Sequence, residues 1–212
     1  MRLDHLSYAV SHEQISDVAN RIGSQIGTAF VDGGIHPRFG TRNFTAPLLN
    51  GHYIEIVCPI DHPSTENSPF GKIVSKKVES GGGWLAWVIS TPSINPLEEY
   101  FSRKSIIGIR KKPNGTELAW KQIGVLDTLE RLDSPFYIEW LEGTHPSQDG
   151  VAQAKILEIN ILGNNSVLNP TILKNLSEQN IRMIWNKEQN DKELFGIQNV
   201  VFEYNTNKIV VV

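Results

Sequence analysis

Two glutamates stand where strand residues are expected to be apolar. Glu55 lies between Ile54 and Ile56 in YIEIV (53–57), and Glu139 lies between Ile138 and Trp140 in YIEWL (137–141). A carboxylate flanked in this way faces solvent, pairs with an arginine such as Arg42 or Arg110, or points into a cavity where it has work to do. Two ionised carboxylates in one partly dry cavity repel, so either one stays protonated or a cation sits between them. His5, in HLSYAV (5–10), falls on the more polar face of its run. One imidazole and two carboxylates, His5, Glu55 and Glu139, make a three-ligand set with positions left for water or substrate, suited about equally to Zn²⁺, Ni²⁺, Mn²⁺ or Fe²⁺. With no metal and no other cofactor, a carboxylate of raised pKa is a candidate general base, which makes Glu55 and Glu139 the catalytic candidates.

The elements that must position these residues begin with a hairpin. Runs 42–49 and 52–58 flank Asn50-Gly51, a pair that favours a two-residue turn because both central residues need positive φ. Period two puts Ile54, Ile56 and Cys58 on one face of the second run and Tyr53, Glu55 and Val57 on the other. Upstream, residues 3–10 alternate as a strand. A helix follows, with Ser11 as cap, Ile15, Val18, Ala19 and Ile22 at helical spacing and Gly23 as stop. Residues 28–31 suit a short strand before a loop from Asp32 to Gly40, which carries His36 between Gly34 and Pro37. The first unit reads β-α-β-β-β.

Residues 61–83, rich in Pro, Ser, Asn, Lys and Gly, read as a connector with a short helix near 70–78. Then the order returns: runs 84–90, 106–110, 118–123 and 136–141, with a helix over 94–103. YIEWL overlays YIEIV, and WLAWVI (84–89) overlays HLSYAV. Neither unit can bury its sheet alone, so the two are expected to close on each other. The predicted fold is α+β, with two βαβββ modules (1–60 and 84–146) curving around a shared cavity, joined by the 61–83 connector. A third, smaller βαβββ-like module (154–212), with a turn at Thr206-Asn207, is expected to be structural or a lid.

With helices outside, Leu6, Tyr8, Ile54, Ile56, Leu85, Trp87, Ile138 and Trp140 are expected to face them. His5, Asn43, Thr45, Glu55, Trp84 and Glu139 are then expected to face the cavity. Asn43 and Thr45 are candidate donors to a bound carbonyl, His36 a candidate ligand contact, and Trp84 and Trp120 candidate walls of an apolar pocket. His12, His52, His62 and His145 read as surface residues, and Cys58 as a small buried hydrophobe.

Composition limits the partners. The chain has 212 residues, 40% hydrophobic and 20% charged, with a net charge of −3. That charge gives no basic footprint for nucleic acid. No apolar run reaches membrane length, and the first ten residues lack a signal-peptide core, so the expected location is cytoplasmic. A small-molecule ligand is the expected partner, with a homodimer as a further option.

The duplicated βαβββ unit, with His on its first strand and Glu on its last strands, resembles the vicinal oxygen chelate superfamily, which includes lactoylglutathione lyase, extradiol dioxygenases and bleomycin-resistance proteins. GGIHPRFGTRNF with YIEIVCP, then RKKPNGTELAW with SPFYIEWLEGTHP, are similar to bacterial glyoxalase-like domain proteins over about residues 3–146. In metal-binding members, ligands come from the first and last strands of both units. The resemblance therefore implies His5, Glu55 and Glu139 as ligands and puts the fourth position on Trp84, which cannot ligate. That departure removes the two-histidine, one-carboxylate set of ring-cleaving oxygenases. Two readings follow: a metal-assisted lyase or isomerase acting on a small carbonyl- or vicinal-oxygen-containing molecule, or a metal-free drug- or metabolite-binding protein of the bleomycin-resistance type.

Overall fold

The computed structural model describes residues 1–164, 170–187, 195–205 and 208–212. The first module comprises β1 (Arg2–Ala9), α1 (Ile15–Ile26), β2 (Val31–His36), β3 (Thr41–Pro47) and β4 (Tyr53–Pro59). Helices α2 (Pro63–Asn67) and α3 (Pro69–Glu79) lead to the second: β5 (Gly83–Ser90), α4 (Asn95–Phe101), β6 (Ile106–Lys111), β7 (Glu117–Ile123), α5 (Val125–Glu130) and β8 (Phe136–Glu142). The chain continues through β9 (Ala154–Leu162), α6 (Pro170–Glu178), β10 (Arg182–Asn186), β11 (Gly196–Tyr204) and β12 (Lys208–Val211). The duplicated β-α-β-β-β order is present, with α5 added to the second copy. The expected turn at Thr206-Asn207 lies outside the described residues.

The two modules close on each other as a barrel ordered β1-β4-β3-β2-β6-β7-β8-β5. One seam pairs β1 antiparallel to β5, with Leu6 opposite Trp87. The other brings β2 to β6, with Ile35 opposite Lys111. Closure removes the unpaired edges that either sheet would expose alone. The second seam depends on Gly34, whose φ is +94°: a Cβ there would lie 1.8 Å from the Lys111 carbonyl oxygen.

Local chemistry accounts for most boundaries. Asn50 and Gly51 both take positive φ, as the hairpin reading requires, but the loop also includes Leu49, and the Leu48 N–H donates to the His52 carbonyl. α1 runs through Gly23 and ends at Gly27, whose N–H bonds back to the Gly23 carbonyl. The predicted loop from Asp32 is instead mostly strand β2. A bulge between Asp32 and Gly34 lets the glycine pair stay in the β3 ladder, so it bends the strand without ending it. Ser68 caps α3 by accepting from the Gly71 N–H, and Pro69 fits the first turn, where no backbone donor is needed.

The core has two parts. Outside the barrel, Leu6, Ile54, Ile56, Trp84, Trp87 and Ile89 pack against Ile22 and Ile26 of α1 and against Ile159, Val200 and Phe202 of the last sheet. That sheet, ordered β10-β9-β11-β12, therefore covers the outer barrel wall and not the cavity. Inside, Phe70, Ile73 and Val74 of α3 pack with Val57, Ala86, Val88 and Phe136, so the connector supplies barrel core. No helix among the described residues is long and apolar enough to cross a membrane.

Candidate functional site

A small cavity lies within the barrel. β4 aims Tyr53 and Glu55 into it, β1 aims His5, β2 His36, β3 Asn43 and β6 Arg110. Phe70, Trp120, Phe136, Ile138 and Trp140 supply the apolar wall. Ionisable and aromatic side chains meet in it: the His36 ring is edge-on to Phe70 and Trp120, and the His5 ring to Phe136.

Glu55 is the centre of the polar group. One carboxylate oxygen accepts from Ser7 Oγ at 2.7 Å and the other from Asn43 Nδ2 at 2.7 Å. His5 Nε2 and His36 Nε2 each lie 3.9 Å from one of its oxygens. Burial pushes the Glu55 carboxyl up, but the facing imidazoles and the two donors outweigh it, so the net direction is down. The group is a carboxylate at neutral pH, and the raised pKa expected of it from the sequence is not found. For His36 burial prevails and lowers the imidazole to about 4, with Arg110 and His5 acting the same way and Glu55 opposing. Its Nδ1 lies 2.8 Å from Thr41 Oγ1.

His5 is fixed from behind. Its Nδ1 lies 2.9 Å from Asp4 Oδ1, while Asp4 Oδ2 accepts from Trp140 Nε1 at 3.0 Å and faces His145 Nε2 at 3.2 Å. Burial pushes Asp4 up, but bonds and charge from His145 and His5 hold it far below the usual carboxylate range. Asp4 is then an acceptor only, so His5 Nδ1 carries the proton and Nε2 is the nitrogen turned toward Glu55. Tyr53 stacks on the His5 ring with centroids 4.4 Å apart, and burial raises its phenol well above 10.

Of the sequence candidates, the barrel brings together His5, His36, Asn43, Glu55 and Trp120. Glu139 is a correction. Phe136, Ile138 and Trp140 of β8 face inward, so Glu139 faces outward, where it accepts from the Ile94 N–H at 2.7 Å and lies 3.9 Å from Lys121 Nζ. A one-residue offset between YIEIV and YIEWL exchanges the faces, because side chains alternate with period two. Trp84 is also displaced: its ring packs on Tyr8 and Phe202, and its Nε1 donates to the Val212 carbonyl at 2.8 Å. Thr45 is buried opposite Glu55 in the β3–β4 register but does not line the cavity. His52 and His145 are corrected too. His52 is buried with Nδ1 on the Leu3 carbonyl, and His145 is half-buried on Asp4.

The proposed three-ligand set does not fit. With Glu139 outside, no group of three or more His, Cys, Asp or Glu side chains among the described residues is arranged to hold a metal ion. Both Glu55 oxygens already accept short hydrogen bonds.

Several residues of the site escaped the sequence reading, some lining the cavity and others, Asp4 and Ser7, holding His5 and Glu55 from behind. Asp4, Ser7 and Gln122 carried no local signal. Phe70 was hidden in the connector, and Arg110 was read only as a partner for the glutamates. Instead Arg110 is 2% exposed and lines the cavity, while Arg42 pairs with Asp32.

Comparison with known proteins gives the family and the fold. A structure of a hypothetical protein from Staphylococcus aureus is similar over 97% of this chain and 92% of its own, with 15% identity and a TM-score of 0.68. Methylmalonyl-CoA epimerase from Mycobacterium tuberculosis aligns with 67% of this chain and 88% of its own, at 14% identity and a TM-score of 0.44. No curated protein matches the sequence. Residues 3–169, which hold both barrel modules and every cavity residue named above, match the glyoxalase-like domain, and the chain belongs to that family.

Proposed function

We propose that the barrel binds a small carbonyl- or vicinal-oxygen-containing molecule and that Glu55 moves a proton at the carbon beside that carbonyl, in an isomerase or lyase reaction. The observation that carries this reading is a buried, ionised carboxylate held by Ser7 and Asn43, with two imidazole nitrogens 3.9 Å from its oxygens. The carbon–hydrogen bond breaks, the proton passes to Glu55, and the electron pair moves onto the carbonyl oxygen as an enolate. Return of the proton to the same or a neighbouring carbon completes an isomerisation; expulsion of a leaving group completes a lyase reaction. His36, neutral at pH 7, and His5, oriented by Asp4, flank the carboxylate 3.9 Å from its oxygens, a separation that one water spans for proton transfer. Burial keeps water from competing for the base.

The test is deuterium wash-in beside the carbonyl of pyruvate and of methylglyoxal hemithioacetal in D₂O, read by proton NMR. Wild type is expected to exchange at least one of them, and Glu55→Gln to lose about a hundredfold or more, within the usual range for a general base. Equal exchange rates in both proteins would overturn the reading. A second reading, metal-free binding without turnover, is favoured by the aromatic side chains that line the cavity, Phe70, Trp120, Phe136 and Trp140. Binding without exchange would select it.

A further inference from the structure

Arg110 is a buried guanidinium with part of its hydrogen-bonding capacity unused. Its Nε and Nη2 are both buried without a hydrogen-bond partner. These two nitrogens share the side edge of the guanidinium, where parallel N–H bonds match the two oxygens of a carboxylate. The nearest acid does not serve that edge. Asp149 Oδ2 lies 3.6 Å from Nη2, beyond hydrogen-bond distance, and both Asp149 oxygens accept from Lys112 Nζ at 2.7 Å. Glu55 is likewise engaged by Ser7 and Asn43. Buried guanidinium groups are retained where something pairs with them, and the protein supplies an opposite charge near Arg110 without supplying the bonds.

The placement relative to Glu55 is what gives this edge a use. Gly33 lets Arg110 and Asn43 close on the same point of the wall: a Cβ there would lie 2.2 Å from Asn43 Oδ1 and 3.1 Å from Arg110 Nη1. Asn43 in turn donates to Glu55. Arg110, Asn43 and Glu55 therefore follow one another along one wall, with a cation at one end and a base at the other.

Building on the proposed function, we propose that the ligand is a small carboxylate whose oxygens take the side edge of Arg110, which turns its neighbouring carbonyl carbon toward Glu55. The same edge would reject an otherwise identical neutral molecule, because that molecule leaves the guanidinium unpaired.

The probes are pyruvate, pyruvamide as its neutral counterpart, and acetate as a carboxylate without the ketone. Affinities are measured by calorimetry, and the Arg110 Nε–H is followed by ¹⁵N NMR, its signal assigned by its loss in Arg110→Lys. Expected are binding of pyruvate at least tenfold tighter than pyruvamide, a downfield Nε–H shift on adding pyruvate or acetate, and loss of the preference in Arg110→Met. Equal binding of pyruvate and pyruvamide, or an unmoved Nε–H at saturating pyruvate, would overturn the carboxylate assignment while leaving the carbonyl reading in place. Acetate moving the Nε–H with no effect of the ketone on affinity would keep the Arg110 site and sink the carbonyl reading. No binding of any probe overturns both. The NMR readout on wild type stands even where Arg110→Met fails to fold.

Discussion

The Nδ1 proton of His5 is held by Asp4 at 2.9 Å, one residue earlier on the same strand, and so the opposite nitrogen of the ring is the one offered to the cavity. A bulge between Leu3 and His5 where β1 pairs with β5 makes this possible, because adjacent strand residues otherwise point to opposite faces. Asp4→Asn keeps the shape but presents an amide that cannot accept from every donor facing it. The expected cost is about 2–4 kcal/mol, since a buried donor is left unsatisfied. Urea unfolding at pH 7 measures it, and an unchanged midpoint would remove Asp4 as the orienting group. The Asp4 carboxyl sits below its unfolded value, so its stabilisation is present above pH ~4 and disappears as pH falls below it. In Asp4→Asn that acid-side loss should be shallower.

His36 and His52 give a second pH window with a different origin. Burial is the largest cause for both, joined at His52 by the Arg2 charge, and each imidazole is lowered to about 4. A folded pKa below the ordinary 6.5 means that the unfolded chain binds a proton the native state refuses. Stability therefore falls as pH drops from about 7 toward 4, by up to about 2 kcal/mol per histidine between pH 7 and pH 5. Urea midpoints at those two pH values in wild type, His36→Gln and His52→Gln provide the check. Each variant should lose part of the slope, and a variant with the full wild-type slope would show that its histidine titrates normally.

How far the sequence could be read follows from the kind of signal each feature leaves. The β4 alternation was legible because Ile54, Ile56 and Cys58 contrast with Tyr53 and Glu55, and these faces are the ones found. The βαβββ duplication was legible for the same reason, as was the Asn50-Gly51 turn. β8 was not: it shows the same contrast, Ile138 and Trp140 against Tyr137 and Glu139, but its apolar set lines the cavity, so the overlay on YIEIV chose the wrong face. β2 was misread because a bulge and a Gly-Gly break look alike without the partner strand. Arg110 and Asp4 were invisible as a pair of anchors, since their partners, His5 apart, lie on other strands or in the 143–149 loop. Only the barrel closure brings them together.

Gly34→Ala tests that closure. The added Cβ meets the Lys111 carbonyl at 1.8 Å, and the φ of +94° is itself strained for alanine. Both effects act at the seam between β2 and β6, where Ile35 and Lys111 join the two modules. A loss of roughly 2–4 kcal/mol is expected, a fall in thermal midpoint on the order of 5–15 °C for a chain of this size. Dye binding to newly exposed aromatic cavity wall should rise with it. A midpoint within a degree of wild type would mean the seam adjusts freely and contributes little to closure.

Glu139 and Glu55 look alike in sequence, and the barrel predicts opposite outcomes for them. Glu139 accepts the Ile94 N–H at the start of α4 and faces away from the cavity, so its side chain serves the fold. Glu139→Gln keeps an amide oxygen for that bond and should cost less than about 1 kcal/mol, whereas Glu139→Ala removes the acceptor and should cost about 1–2 kcal/mol. Neither should alter ligand affinity or deuterium exchange once the protein is folded. Glu55→Gln should leave stability closer to wild type than Glu139→Ala does, because Ser7 and Asn43 can each reorient to meet an amide. Loss of exchange in Glu139→Gln, at wild-type stability, would return that residue to the chemistry and undo the face assignment of β8.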